Sequence, residues 1–316
     1  MDNVSITSRR WFLPGVLLLL LILLATLPYY GSAYSVVLLT HIFMYIVLTV
    51  SWTMFSGPTR LISLASAAFF GVGVYTMAIL GKTLPLPAVI VIGGLGSFIL
   101  AFFIGLLTLR LKGMYFIIFT FGISELIKNA LLFWETHFEG TVGRWVIRIE
   151  YTPVYYIMLG IFVAAVLTAY FFKRSKYGAA LESIGENEEA AAHSGINVTW
   201  LKVITFAVSA VFMGAAGAIM ATKWAYIDPR IAFNPLLSFM PVLMAIFGGM
   251  EQLWGPVIGA AIFTYLEQIL ITKFAYYYML LFGIILVVAI LFMPRGLVGL
   301  IQRWRQRGLI RQRAKT

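Results

Sequence analysis

Read as apolar runs broken by charged residues or by Gly and Pro, the chain falls into ten segments. They lie near 12–28, 34–54, 61–80, 85–109, 114–134, 154–172, 203–222, 236–250, 255–272 and 277–294. Most approach the roughly 20 residues a helix needs to cross a hydrocarbon core about 30 Å thick. The eighth is short, carries Pro241 and is followed by Gly248, Gly249 and Gly255-Pro256, so this region is expected to hold half-helices or a re-entrant element. The predicted fold class is all-α: a polytopic transmembrane helix bundle of about ten membrane segments, eight to ten counted conservatively. Residues 1–316 form a single membrane domain, since no polar stretch is long enough for a separate folded unit.

Composition agrees and removes other classes. Apolar residues make up 61% and charged residues 11% of the 316, against about 25% charged in a soluble domain. A net charge of +11 from 23 basic and 12 acidic residues raises nucleic acid as a partner. Its distribution fits a membrane better, because basic residues collect on the cytoplasmic side. With the N-terminus inside, sixteen basic residues fall inside: Arg9, Arg10, Arg60, Arg110, Lys112, Lys173, Arg174, Lys176, Lys202 and seven from Arg295 to Lys315. Six fall outside: Lys82, Arg144, Arg148, Lys223, Arg230 and Lys273. Both termini are therefore expected in the cytoplasm. Ser8-Arg9-Arg10-Trp11-Phe12-Leu13 imitates a twin-arginine export signal, but a retained first helix with a basic flank suits so apolar a chain better. The tail 295–316 carries those seven basic residues and no acid, and reads as a stop and orientation signal. The absence of cysteine excludes disulfides, thiolate metal sites and thiol nucleophiles.

Small and weakly polar residues punctuate the apolar runs. On the third segment Ser63, Ser66, Gly73 and Thr76 fall within about 140° of one helix face at about 100° per residue. They either line a path or let helices approach and hydrogen-bond across a contact, and Gly214 and Gly217 carry the same two readings. Residues 66–78 and 209–221 share Ser-Ala-x-Phe-x-Gly and a later Met-Ala, through duplication or chance. Glu125, Lys128, Glu251, Glu267 and His41 lie in or near spans, where ionisable groups are functional candidates because burying charge is costly. Glu125 and Lys128 are spaced to pair on a helix. Gly81-Lys82-Thr83 imitates the end of a P-loop, but the earlier glycine is replaced by Thr76. No carboxylate pair, metal cluster or nucleophile constellation supports an intramembrane enzyme.

The most polar stretch is 173–202. Ala180, Leu181 and Ile184 recur at helical spacing, and a second piece, Asn187 to Ser194, ends at Gly195, a suitable left-handed cap. Gly185 between them predicts two helical pieces. Such an element either docks an apolar face into a partner's groove or is a solvated connection.

Tyr177-Gly178-Ala179-Ala180-Leu181, Ile184, Glu186-Asn187-Glu188-Glu189-Ala190-Ala191 and Ser194-Gly195-Ile196-Asn197 resemble the cytoplasmic EAA-type loop of ABC importer permeases. In particular they resemble the branched-chain amino-acid permeases of the LivH/LivM type. Ser63-Leu64 and Ala67-Ala68-Phe69-Phe70-Gly71-x-Gly73-x-Tyr75-Thr76 resemble that family's early Gly-rich helix. Gly248-Gly249-Met250-x-x-Leu253-Trp254-Gly255-Pro256 resembles its late motif. Met293-Pro294-Arg295-Gly296-Leu297 is more similar to LivM than to LivH. Ala65-Ser66 stands where the family often has Gly-Gln, and Gly185 where it often has Arg.

The resemblance implies a permease subunit of the bacterial plasma (inner) membrane that pairs with a sister LivH-type permease. Together they enclose a path open alternately to each side. Two separate ATPase subunits, which hold the ATP and Mg, would dock on the 173–202 loop. An external binding protein would deliver branched-chain or related amino acids, and this chain itself needs no cofactor. Ala180, Leu181 and Ile184 are the expected face in the ATPase groove, with Glu186, Glu188 and Glu189 as rim charges or caps and Gly195 closing the second piece. Ser63, Ser66, Gly71, Gly73 and Thr76 are the path candidates. A urea or short-amide ABC permease and an ion-coupled secondary transporter are the alternatives, the latter resting on a midplane acid such as Glu267.

Overall fold

The computed structural model describes residues 19–111, 113–277, 280–285, 287 and 296–297. The Arg9-Arg10 motif, Met293 to Arg295 and the chain beyond 297 lie outside the described residues. Helices are α1 (Leu19–Tyr30), α2 (Ala33–Thr59), α3 (Ser66–Leu80), α4 (Leu86–Thr108), α5 (Met114–Trp134) and α6 (Tyr151–Arg174). They continue as α7 (Lys176–Glu186), α8 (Glu188–His193), α9 (Val198–Ala221), α10 (Pro229–Ala232), α11 (Leu236–Gly248) and α12 (Trp254–Lys273). Local chemistry sets several boundaries. Ser32 caps α2 by accepting from Ser35 N at 3.3 Å, Pro87 lies in the first turn of α4 where its missing N–H is harmless, and Asp228 caps α10 through Ile231 N at 2.8 Å.

Among the described residues seven helical stretches are long and apolar enough to cross a membrane, one of them α10 and α11 taken together (Pro229–Gly248), and α1 and α3 are shorter apolar helices. This is fewer than the ten segments read from the sequence. The first and last of those lie partly outside the described residues, and the third becomes helical only at Ser66. In the region expected to hold half-helices, α11 is a short helix that continues through Pro241, residues 249–253 interrupt it before α12, and α12 is continuous over 20 residues; a further break, at 233–235, precedes α11.

The centre of the bundle is α9, packed against α2, α3 and α4. Its small residues permit backbone-to-backbone approach. A Cβ at Gly73 would lie 1.9 Å from the Gly214 carbonyl oxygen, one at Gly214 would lie 2.1 Å from Ser97 Oγ, and one at Gly217 would lie 2.1 Å from the Phe70 oxygen. Beside it Ser97 of α4 donates to the Phe69 oxygen of α3 at 2.8 Å and, within its own helix, to the Gly93 oxygen at 2.9 Å. The two similar segments, 66–78 and 209–221, thus pack on each other.

The helices define two ends. At one, the C-termini of α2 and α6 meet α7 and α8. At the other, β1 (Arg144–Trp145) pairs antiparallel with β2 (Tyr226–Ile227) and joins the α5–α6 and α9–α10 connections. There α5 runs on into a π-helical turn, Glu135–Glu139. Glu135 is buried, accepts from Gly143 N at 2.8 Å and lies 3.5 Å from Arg144 Nε.

Gly73→Val is expected to destabilise the purified protein by about 1–3 kcal/mol through overpacking, read as a lower thermal unfolding midpoint. Gly122→Ala, where an added Cβ meets nothing within 4 Å, serves as the neutral control.

Candidate functional site: the elbow and the unwound start of α3

Residues 173–202 fold as a helical elbow. Ser175 caps α7 by accepting from Gly178 N at 3.3 Å. The break to α8 falls at Asn187, whose Oδ1 accepts from Glu189 N and Ala190 N, each at 3.1 Å. Gly185 is therefore not the break expected from the sequence but part of α7. Its lack of a side chain serves contact, because a Cβ there would lie 1.9 Å from the Pro58 oxygen at the end of α2. Gly195 takes φ +83° after α8, the left-handed geometry that favours glycine.

The apolar face of α7 corrects the sequence reading. Leu181 and Ile184 are 0% and 5% exposed within this chain, where α7 packs on α2 and α6, and Ala180 is half-buried. Leu181 and Ile184 face the protein's own bundle rather than outward, while Ala180 keeps part of its surface open. The exposed face carries Tyr177, Ala179, Glu182, Ser183, Glu186 and Glu189.

Glu188 has a specific partner. Lys202, 3% exposed near the start of α9, places Nζ 3.0 Å from Glu188 Oε1 and 3.4 Å from the Leu109 carbonyl oxygen. Leu109 caps the C-terminus of α4, the negative end of that helix dipole, so one buried ammonium joins α8, α9 and α4. Sequence reasoning counted Lys202 only as an orienting charge. Its distance in sequence from Leu109 gave no signal of this role.

A cavity of about 450 Å³ opens beside the elbow, with Arg60, Lys173, Glu182, Glu186 and Glu251 among its lining residues. Lys173 donates to the Glu251 carbonyl, tying the end of α6 to the turn between α11 and α12. Arg60 ends α2 with φ +57°.

The second part of the site is the segment 61–65, which is not helical. Unwound backbone inside a membrane bundle must find partners within the protein; side chains from α2 and α5 supply them, and one from α11 meets the first turn of α3. Trp52 Nε1 of α2 donates to the Ser63 oxygen at 2.8 Å. On α5, Thr120 Oγ1 accepts from Leu64 N at 3.0 Å and Ser124 Oγ donates to the Leu64 oxygen at 3.3 Å. On α11, Ser238 Oγ accepts from Ala67 N at 3.0 Å. Ser63 also accepts from Ala65 N at 3.3 Å.

Unwinding removes Ser63 from the helix face on which it was placed with Ser66, Gly73 and Thr76. Ser63, Ser66, Gly71 and Gly73 are buried, and Thr76, half-buried, donates to the Val72 oxygen. A Cβ at Gly71 would strike the Phe233 ring at 2.4 Å. None of the five lines the cavity beside the elbow. Trp52, Thr120, Ser124 and Ser238 escaped the sequence reading. The only available signal was polar residues inside apolar runs, with Thr120 and Ser124 one turn apart. Glu125 and Lys128 form an ion pair on α5, and His41 meets Tyr45 edge-on at 5.2 Å. Glu267 has a buried carboxylate oxygen without a partner among the described residues.

A bundle of apolar helices with a broken helix held at its core, and an elbow seated at one end, has the architecture of a multi-pass membrane permease. The sequence model of the family described as branched-chain amino acid transport system / permease component matches residues 34–290, and the chain belongs to that family. It is 26% identical to the high-affinity branched-chain amino acid transport system permease protein LivM of Escherichia coli K12, over 93% of this chain and 79% of that protein. Identity to LivM of Salmonella typhimurium is also 26%, over 89% of this chain and 74% of the relative. LivH of Salmonella typhimurium is 21% identical over 81% of this chain and 91% of its own length. The chain is thus a transport permease subunit rather than an enzyme.

Thr120→Val leaves the Leu64 amide buried without an acceptor, and a loss of about 1–3 kcal/mol is expected. Thermal unfolding in detergent checks it, with Thr83→Val, on an exposed turn, as the comparison.

Proposed function

We propose that this chain is the LivM-type permease subunit of an ATP-driven importer of branched-chain or related amino acids. In this reading a sister LivH-type permease completes the path and an external binding protein delivers the substrate. Two ATPase subunits, which hold ATP and Mg, dock on the elbow. The elbow end of the bundle faces the cytoplasm of a bacterium, with the chain in its plasma membrane. The observation that carries the proposal is the elbow itself, a rigid two-helix element fixed to the bundle at separate points, in a chain that matches the permease family over most of its length.

Coupling requires that closure of the ATPase subunits favour one permease conformation over the other. A rigid elbow transmits that difference. The contact faces divide accordingly. Leu181, Ile184 and Gly185 hold the elbow to α2 and α6, and Lys202 holds Glu188 of α8 to α4 and α9. The outward face, with Tyr177, Glu186 and Glu189, meets the ATPase. Of the path candidates, Ser63 and Ser66 act at the unwound entry to α3, where a small shift exposes backbone and hydroxyl groups. Gly71, Gly73 and Thr76 set how closely α3 approaches its neighbours.

In proteoliposomes holding the full complex, ATP and the binding protein, concentrative leucine uptake is expected, and the lone chain should move nothing uphill. ATP-dependent uptake of urea with no uptake of leucine would replace the substrate, and uptake without the ATPase subunits would replace the mechanism. Lys202→Met should leave ATP hydrolysis near the wild-type rate but lower uptake per ATP about tenfold, the effect of about 1.4 kcal/mol in coupling. Glu267→Gln should change uptake by less than about twofold, whereas a carrier driven through a midplane acid would stop.

A further inference from the structure

At the end of the bundle opposite the elbow, α2, α9 and α12 enclose a second cavity of about 240 Å³. On α2 its lining follows one helix face: Tyr34, Val37, Leu38 and His41, spaced three and four apart. The end of α9 adds Met220, Lys223 and Trp224, and α12 adds Gln268.

The polar groups here lack partners. Among the described residues no hydrogen bond is made by the side chains of Tyr34, His41, Lys223, Trp224 or Gln268, no carboxylate lines the cavity, and Lys223 is in no ion pair. All five can donate a hydrogen bond and one is a cation. A partly buried ammonium without a counter-charge is unfavourable, and burial holds the Lys223 ammonium down to about 8 from its ordinary 10.5. The chemistry that answers such a pocket is an oxyanion. The apolar residues of the lining narrow the source. Val37, Leu38 and Met220 suit hydrocarbon, and Tyr34 and Trp224 are the residue types enriched where a bundle meets the headgroup region.

We propose that this cavity binds the phosphate of an anionic glycerophospholipid, with Lys223 as counter-charge and the Val37, Leu38 and Met220 wall against the glycerol and first acyl carbons. The site is independent of the transport reading, because it requires only that this end of the bundle lie at a membrane surface.

Native mass spectrometry of the delipidated full-length chain, titrated with phosphatidylglycerol or phosphatidylcholine, tests it. The wild type is expected to retain phosphatidylglycerol about fivefold better, the effect of one basic residue on an anionic headgroup. Lys223→Gln, which lies beyond the end of α9 and leaves helix packing intact, should abolish that preference. Lys223→Arg should keep it, and so should Lys82→Gln, which removes one charge from an exposed turn at the same end. Equal binding of the two lipids by the wild type overturns the proposal. So does an equal loss in Lys223→Gln and Lys82→Gln, which would mean diffuse surface charge. Displacement of phosphatidylglycerol by inorganic phosphate at lower concentration than the lipid would assign the pocket to the free ion and overturn the lipid assignment.

Discussion

Lipid supplies neither donors nor acceptors, so every buried amide and carbonyl in this bundle has to be answered by the protein itself. Most helices meet that requirement internally. The five residues before α3 do not, and the surrounding helices carry polar side chains at the matching positions, Trp52 from α2 and Thr120 and Ser124 from α5, while Ser238 from α11 takes up a free amide in the first turn of α3. The same requirement acts on α9, whose glycines bring backbone against backbone. Beside these glycines Ser97 of α4 makes one cross-helix bond, to the Phe69 oxygen of α3. Between hydrocarbon helices there is little hydrophobic gain to be had, and close packing with a few polar bonds takes its place.

The elbow follows another rule. It lies at the end of the bundle, is rich in charge and still hides its apolar face. Leu181 and Ile184 turn inward on α7, and Gly185 lets the helix lie against the last turn of α2. Lys202 brings a full charge into a nearly closed position and is met there by the carboxylate of Glu188 and the exposed carbonyl of Leu109. An ion pair so placed contributes more to fixing an arrangement than to overall stability.

The apolar segments were legible in the sequence because their length and hydropathy are local properties, and so were the two-piece elbow and the left-handed Gly195. The unwound start of α3 was not. Leu61 to Ala65 has the apolar character of a helix, and only partners from two other helices, α2 and α5, allow a non-helical path there. The same limit applied to the elbow. Spacing placed Leu181 and Ile184 on one face, but periodicity says that a face is buried and not what buries it. Gly185 suggests the break between the two helical pieces because glycine weakens helices, while its role is a steric one set by the distant Pro58. For the path candidates, the helix projection assumed that Ser63 belonged to the helix, and small-residue packing explains Gly73 without any reference to substrate.

One helix carries both kinds of contact. Pro58, under Gly185 of the elbow, and Trp52, bonded to Ser63, lie six positions apart on α2, about 9 Å along its axis at 1.5 Å per residue. That stretch is part of one continuous helix, so both contacts belong to a single rigid element. Fewer than two turns of one helix thus separate the anchorage of the elbow from the anchorage of the non-helical segment 61–65, so the two cannot be positioned independently of each other.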